Sequence, residues 1–244
     1  MEYFRNPENQ IYADLAYRLG RIVNQYEKSV PDNEKFEATL YIAILQNLIT
    51  NSNEYVRQMT KSTRRNSIFK QKVTESIWGI DEKCWVKNTF NEELTLQNFI
   101  TRIRNSVSHP TNIEIKSDFS STGFTTINDD SGIIQKFRFI NSPDTRNNRL
   151  KEFSKNEVLN TLYQRNSNNQ IIREDFPMDI SYEKISNSPE KFRLIQNGKP
   201  FFRISIIDLS VKQLGIFVKN LANYLAQPIQ KDWDGVTIKD LIAA

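Results

Sequence analysis

The spacing of apolar residues changes at Pro110, and this change limits what the chain can fold into. Before Pro110, apolar residues recur at three- and four-residue spacing, which is the period of an amphipathic helix. After Pro110, short alternating stretches separated by turn residues replace that spacing, and these are typical of strands. Helices and strands segregated in this way predict an α+β fold, mainly α, rather than a doubly wound parallel sheet.

The spacing predicts helices in both halves of the chain, at residues 9–28, 34–59, 73–80, 94–108, 155–165 and 210–225. The helix over 34–59 has apolar side chains nearly all round its centre, so we expect it to be the best-buried helix. Pro110 marks the end of the 94–108 helix, because a residue before proline is pushed away from helical geometry.

Strand-like alternation appears between the fourth and fifth of these helices and again before the sixth. The stretches that show it are 112–116, 122–127, 133–140 and 201–207, with a turn at 129–132. Residues 166–200 are rich in Asn, Ser and Pro and give no clear assignment. The pattern predicts a helical core made of residues 1–110 and 209–244, divided by a β-rich insertion over residues 111–208.

The charge balance is mildly basic. Lysine and arginine number 33 against 29 acidic residues, which gives a net charge of +4 and a pI near 9.0. A polyanionic partner is compatible with this balance, but many proteins of similar pI bind no nucleic acid.

Several classes of protein are excluded by what the sequence lacks. A single cysteine, Cys84, excludes an internal disulfide and a cysteine-based zinc cluster. No apolar run reaches the ~18–20 residues of a membrane span, and the first residues lack the layout of a secretion signal. The sequence also has no phosphate-binding loop, dinucleotide fingerprint or nucleophile elbow. We therefore expect a cytoplasmic protein with no membrane partner, no cofactor and no metal.

The only histidine, His109, stands at the end of the predicted 94–108 helix, five residues after Arg104. On a helical wheel the apolar positions of this helix form one core-facing sector, namely Leu96, Phe99, Ile100, Ile103 and Val107. Arg104, Asn105 and His109 lie on the remaining polar surface, with Asn105 and His109 one turn apart.

These three side chains suit one reaction in particular. RNA is cleaved when its 2′-hydroxyl attacks the adjacent phosphorus, which requires proton transfer and stabilisation of a charged transition state. Histidine can transfer the protons, and arginine can bind the non-bridging phosphate oxygens without a metal. Because two proton transfers are needed and the chain has one histidine, a two-fold dimer would supply the second. The spacing alone leaves another reading open, since a His-Pro pair also caps helix ends.

The run Arg104-Asn-Ser-Val-Ser-His109, at the end of an amphipathic helix, resembles the R-N-x-x-x-H motif of the HEPN superfamily. This resemblance implies a helical, dimeric, metal-independent endoribonuclease of the toxin or antiphage-defence type, acting on RNA. It further implies Arg104 and His109 as the catalytic pair, Asn105 as a supporting residue, and an antitoxin or defence-system partner. A catalytically inactive HEPN-like module that binds RNA or protein is the alternative, because some branches have lost activity.

Two further groups of residues could contact RNA. Basic side chains lie in the connection after the second helix and on the motif helix, namely Arg64, Arg65, Lys70, Lys72 and Arg102. A solvated surface is the simpler explanation for each. Four aromatic residues could stack on unpaired bases, although packing in the core or at an interface is the favoured explanation: Phe137, Phe139, Phe201 and Phe202.

Overall fold

A computed structural model describes residues 7–31, 36–60, 69–74, 76–90, 92–108, 122–148, 150–162, 164–165, 171–173 and 180–233. The strand predicted over 112–116 lies outside these residues. Within them the chain has five α-helices: α1 (Pro7–Ser29), α2 (Glu37–Thr60), α3 (Leu96–Ser108), α4 (Lys155–Leu162) and α5 (Val211–Trp233). No helix in this part of the chain has both the length and the hydropathy that a bilayer span requires.

Nine strands accompany the helices in the described residues. They are β1 (Trp85–Asn88), β2 (Gly123–Asn128), β3 (Ile134–Asn141), β4 (Gln164–Arg165), β5 (Ile171–Arg173), β6 (Ile180–Asn187), β7 (Glu190–Gln196), β8 (Lys199–Pro200) and β9 (Ser205–Ser210). They form a four-stranded sheet of order β1-β9-β3-β2, a three-stranded sheet of order β6-β7-β8, and the pair β4-β5. The predicted α+β fold is confirmed.

The chain divides into two compact units. The helical unit comprises Met1–Glu82, Thr126–Phe137 and Leu209–Ala244, and the sheet unit comprises Lys83–Thr125 and Arg138–Asp208. The boundaries of these units differ from those of the domains expected from the sequence, since α3 belongs to the sheet unit. The division into a core at 1–110 and 209–244 and an insertion at 111–208 stays a prediction.

Within the helical unit, α1, α2 and α5 pack through their apolar faces. Glu27 on α1 joins the other two helices. Its carboxylate accepts a hydrogen bond from the Tyr41 hydroxyl of α2 at 2.6 Å and one from Lys219 Nζ of α5 at 3.0 Å. Burial, together with the hydrogen bond and charge of Glu27, raises the pKa of Tyr41 well above its ordinary value.

Close approach between helices in this unit depends on small residues. A Cβ atom at Gly215 would lie only 2.7 Å from the ring of Tyr41, whereas one at Gly20 would lie 3.5 Å from Ala222 Cβ. Gly79 has a φ of +65°, and a Cβ there would lie 2.7 Å from Ile216 Cγ2. Backbone and side chain therefore pack directly at two glycines.

The sheet unit has two apolar clusters. One contains Phe153, Val158, Phe192, Leu194 and Phe201, and the other contains Ile140, Ile204 and Ile206 with Phe202 packed against it. Strands β6 and β7 form an antiparallel hairpin, and β1 pairs antiparallel with β9.

Several boundaries differ from the sequence prediction. Where the sequence predicts a helix over 73–80, the described residues contain a 3₁₀ helix at Ser76–Trp78, and the positive φ of Gly79 ends it. The strand predicted over 201–207 begins only at Ser205, and the last helix continues beyond 225 to Trp233. Residues 180–200, which lacked a clear pattern, form β6, β7 and β8.

Candidate active site

The motif residues lie on α3, whose start is fixed by Thr95. The Thr95 hydroxyl accepts a hydrogen bond from Asn98 N at 3.2 Å, as an N-cap residue does. The core-facing sector predicted for this helix is confirmed, because all five of its apolar residues are buried: Leu96, Phe99, Ile100, Ile103 and Val107. Ser106 is buried as well, and its hydroxyl donates to Arg102 O at 2.9 Å.

Arg104 and Asn105 lie half-buried in the second half of α3, on successive positions outside the apolar sector. The structure thus gives both side chains access to solvent on a helix whose other face is anchored. His109 lies outside the described residues. The catalytic roles of Arg104, Asn105 and His109 stay predictions.

Arg102 is held by its immediate surroundings. Its Nε and Nη2 donate to the two carboxylate oxygens of Glu92 at 2.8 and 2.6 Å, and its guanidinium carbon lies 3.4 Å from the ring centroid of Phe90. Such a bidentate, stacked arginine fixes the segment that leads into α3 against the helix. The predicted contact of Arg102 with phosphate stays a prediction.

A second guanidinium, that of Arg203, lies near the same ring. Arg203 is 5.7 Å from the centroid of Phe90 and 5.4 Å from that of Phe153. Its side chain donates to both oxygens of buried Asp144, at 2.9 and 2.7 Å, and its backbone N donates to the same carboxylate at 2.9 Å. Burial lowers the pKa of Arg203, but the hydrogen bonds and charge of Asp144 outweigh it and raise the pKa.

The pair Arg203–Asp144 could not be predicted from the sequence, because the two residues are separated by 59 positions and neither belongs to a motif. The pair Arg102–Glu92 carries only a weak local signal, an acid ten residues before an arginine.

The sequence predicts RNA contact for four further basic residues. Lys70 and Lys72 are exposed and belong to the helical unit, while Arg64 and Arg65 lie outside the described residues. Their contact with RNA stays a prediction.

The described part of the chain contains no group of three or more His, Cys, Asp or Glu side chains that could share a metal ion. Cys84, the single cysteine of the chain, is buried. Asp129, which stands beside a second aspartate, accepts hydrogen bonds from Ser131 N and Ile133 N through one carboxylate oxygen, both at 2.9 Å. This carboxylate therefore stabilises the β2–β3 turn.

A family model described as HEPN pEK499 p136 matches residues 1–168, which is more than two thirds of the chain. The matched region includes α3 and the whole of the run from Arg104 to His109. No curated protein and no solved structure matches the chain.

Proposed function

The chain belongs to the HEPN pEK499 p136 family, and from this premise we propose that it is a metal-independent endoribonuclease. One observation carries the proposal. Arg104, Asn105 and His109 stand in the R-N-x-x-x-H order within the matched residues, and the first two lie on the half-exposed surface of an anchored helix.

In this mechanism the 2′-oxygen of a ribose attacks the adjacent phosphorus while the bond from phosphorus to the 5′-oxygen breaks. A base removes the 2′-hydroxyl proton, an acid protonates the departing 5′-oxygen, and a 2′,3′-cyclic phosphate remains. His109 is the general acid or base. Arg104 donates to the non-bridging oxygens, where negative charge develops, and Asn105 orients the phosphate or a neighbouring side chain.

The active form is a homodimer, because one histidine per chain cannot readily make both proton transfers. A two-fold axis near the end of α3 would place two copies of Arg104 and His109 around one phosphate. The helices of residues 1–110 and 209–244 form the HEPN core. RNA is the substrate, and the setting is a cytoplasmic toxin or antiphage-defence system with its antitoxin or defence partner.

Cleavage of RNA in EDTA by the purified full-length protein tests this proposal. We expect His109→Ala and Arg104→Ala each to lower the rate by about a hundredfold or more. Arg104→Lys should recover only part of the loss, because lysine keeps the charge but not the planar fork. Arg21→Ala, which removes an exposed arginine from α1, is the matched control and should leave the rate unchanged.

The products and the oligomeric state complete the test. Product ends should carry a 2′,3′-cyclic phosphate, and light scattering should give the mass of two chains. A folded, dimeric wild type that cleaves none of the RNAs offered would contradict the enzyme and favour the inactive RNA- or protein-binding module.

A further inference from the structure

A cleft of about 450 Å³ lies in the sheet unit between the end of β1 and the β7–β8 hairpin. Lys87 and Thr89 line it from the β1 side, and Gln196, Asn197 and Lys199 line it from the hairpin. Phe202 also lines it, from the segment that leads to β9. Its volume lies in the range of sites that bind small organic molecules, and a single nucleotide is of that size.

Hydrogen bonds within the sheet unit fix the two walls of the cleft. On one side, Thr89 N donates to Ile204 O at 2.9 Å, and the Thr89 hydroxyl accepts from Ile204 N at 2.8 Å. On the other side, Phe201 N donates to Leu194 O at 2.8 Å. The cleft is therefore formed by the fold itself rather than by side chains alone.

The hairpin turn presents its residues in a defined geometry. Gln196 pairs with Lys199, and the two residues between them, Asn197 and Gly198, have φ angles of 51° and 71°. Positive φ at both central positions is the conformation of a type I′ turn, which favours Asn-Gly. The exposed Asn197 side chain and Lys199 are thus set beside each other at the rim.

The chemistry of the lining selects an anion that carries a planar group. Lys87 and Lys199 are both exposed at the cleft, and none of the described residues lining it carries a negative charge. Lysine ammonium groups bind phosphate oxygens as compact positive charges. Phe202 is only half-buried, so part of its ring is available to a flat partner, whereas Phe201 is buried in the core.

We infer that this cleft binds a nucleotide of single-stranded RNA, with Lys87 and Lys199 on the phosphates and the base against Phe202. The amide of Asn197 would contact the base edge. A single strand is required because a base inside a duplex cannot expose its face to an aromatic side chain. The inference rests on the proposed function in one respect, namely that RNA is the natural ligand.

Binding of a labelled 12-nucleotide 2′-O-methyl RNA to the full-length protein, followed by fluorescence anisotropy, tests the inference. This RNA lacks the attacking hydroxyl, so binding is measured independently of cleavage. We expect Lys87→Gln/Lys199→Gln to weaken binding about tenfold or more at low salt. The slope of log affinity against log salt should fall by about 1.4, since each phosphate contact on a single strand contributes about 0.7.

A second variant and a matched control sharpen the experiment. Phe202→Leu should weaken binding by about fivefold to a hundredfold and leave the salt slope unchanged, because stacking releases no counterions. Lys155→Gln/Lys184→Gln removes two exposed lysines from the same unit and should bind like the wild type. Circular dichroism and thermal unfolding verify that each variant is folded.

The possible outcomes separate the cleft from the active site. Equal affinity of the two double-lysine variants, or no binding by the wild type, would overturn the inference even if the protein cleaves RNA. A loss of RNA affinity confined to the Lys87/Lys199 variant would support the inference even if no RNA is cleaved. In that case only the proposed enzymatic activity would be contradicted. Competition by a free mononucleotide as strong as that by the strand would also overturn it, since the ligand would then not be a strand.

Discussion

Each of the two units of this protein is stabilised internally by a different kind of contact. In the helical unit, long apolar faces meet and glycines allow the helices to approach, with one carboxylate, Glu27, joining three helices. In the sheet unit, guanidinium groups are paired with carboxylates and lie against aromatic rings, as at Arg203 with Asp144 and Phe153. The first kind of packing depends on shape and the second on charge, so the two units should respond to different substitutions.

The largest effect is expected where a buried charge loses its partner. Arg203→Met keeps most of the side-chain volume but leaves the carboxylate of Asp144, which is 1% exposed, without a cation. We expect the free energy of unfolding to fall by about 3–5 kcal/mol, measured by urea denaturation.

Arg138→Met is the matched control, because Arg138 pairs with Asp208 in the same bidentate manner but at a more exposed position. The free energy of unfolding should fall clearly less in this variant. An equal fall in the two variants would mean that burial of the carboxylate does not determine how much each ion pair stabilises the sheet unit.

The next effect tests packing by shape in the helical unit. Gly215→Ala places a Cβ 2.7 Å from the buried, hydrogen-bonded ring of Tyr41, and we expect a loss of about 1–3 kcal/mol. Gly20→Ala adds the same methyl group to α1 with only ordinary contacts, and should stabilise the protein by about 0.5–1 kcal/mol. Thermal unfolding of the two variants should therefore shift in opposite directions. An unchanged or raised melting temperature of Gly215→Ala would show that the close approach at Gly215 is unimportant.

The smallest effect concerns a local charge in the sheet unit, at the start of α4. Burial raises the pKa of Glu157, but hydrogen bonds from Lys151 Nζ and from the backbone and hydroxyl of Ser154 outweigh it and lower the pKa to about 2. The lowered pKa stabilises the fold above the unfolded value of about 4.3, and this stabilisation is lost as the pH falls toward 2.

Glu157→Gln should therefore cost about 0.5–1 kcal/mol at pH 7, a small value because the side chain is 40% exposed. The difference from wild type should shrink at pH 3, as urea denaturation at the two pH values would show. Glu93→Gln, at an exposed position before α3, serves as the control. A constant difference at both pH values would contradict the role of the charge.

The same contrast explains which parts of the fold could be predicted from the sequence. Helices α1, α2, α3 and α5 were predictable because their apolar spacing is local, and the starts of α4 and α5 carry capping boxes at Ser154–Glu157 and Ser210–Gln213. The turn at 129–132 was predictable from its residues, and Gly132 there has a φ of +80°. These signals need only neighbouring positions in the chain.

The missed elements depend on distant partners. Strand β1 has only four residues, and its pairing with β9 joins Trp85 to Ile207 across the chain. Residues 201–204 were predicted as strand but are held by contacts such as that of Arg203 with Asp144. For the candidate site, the sequence predicted the face of α3 that carries Arg104 and Asn105, because helical spacing determines it. It gave only a weak signal for the contact of Arg102 with Glu92 and none for that with Phe90, because both contacts depend on the loop before the helix.

Gly79 has a consequence for how this chain can change over evolutionary time. Two independent constraints act there, since the backbone has a left-handed φ and Ile216 leaves no room for a methyl group. A smaller residue at position 216 would relieve the steric constraint and leave the conformational one, for which only Gly, and to a lesser extent Asn, is well suited. A substitution at position 216 therefore does not by itself make position 79 tolerant of other residues.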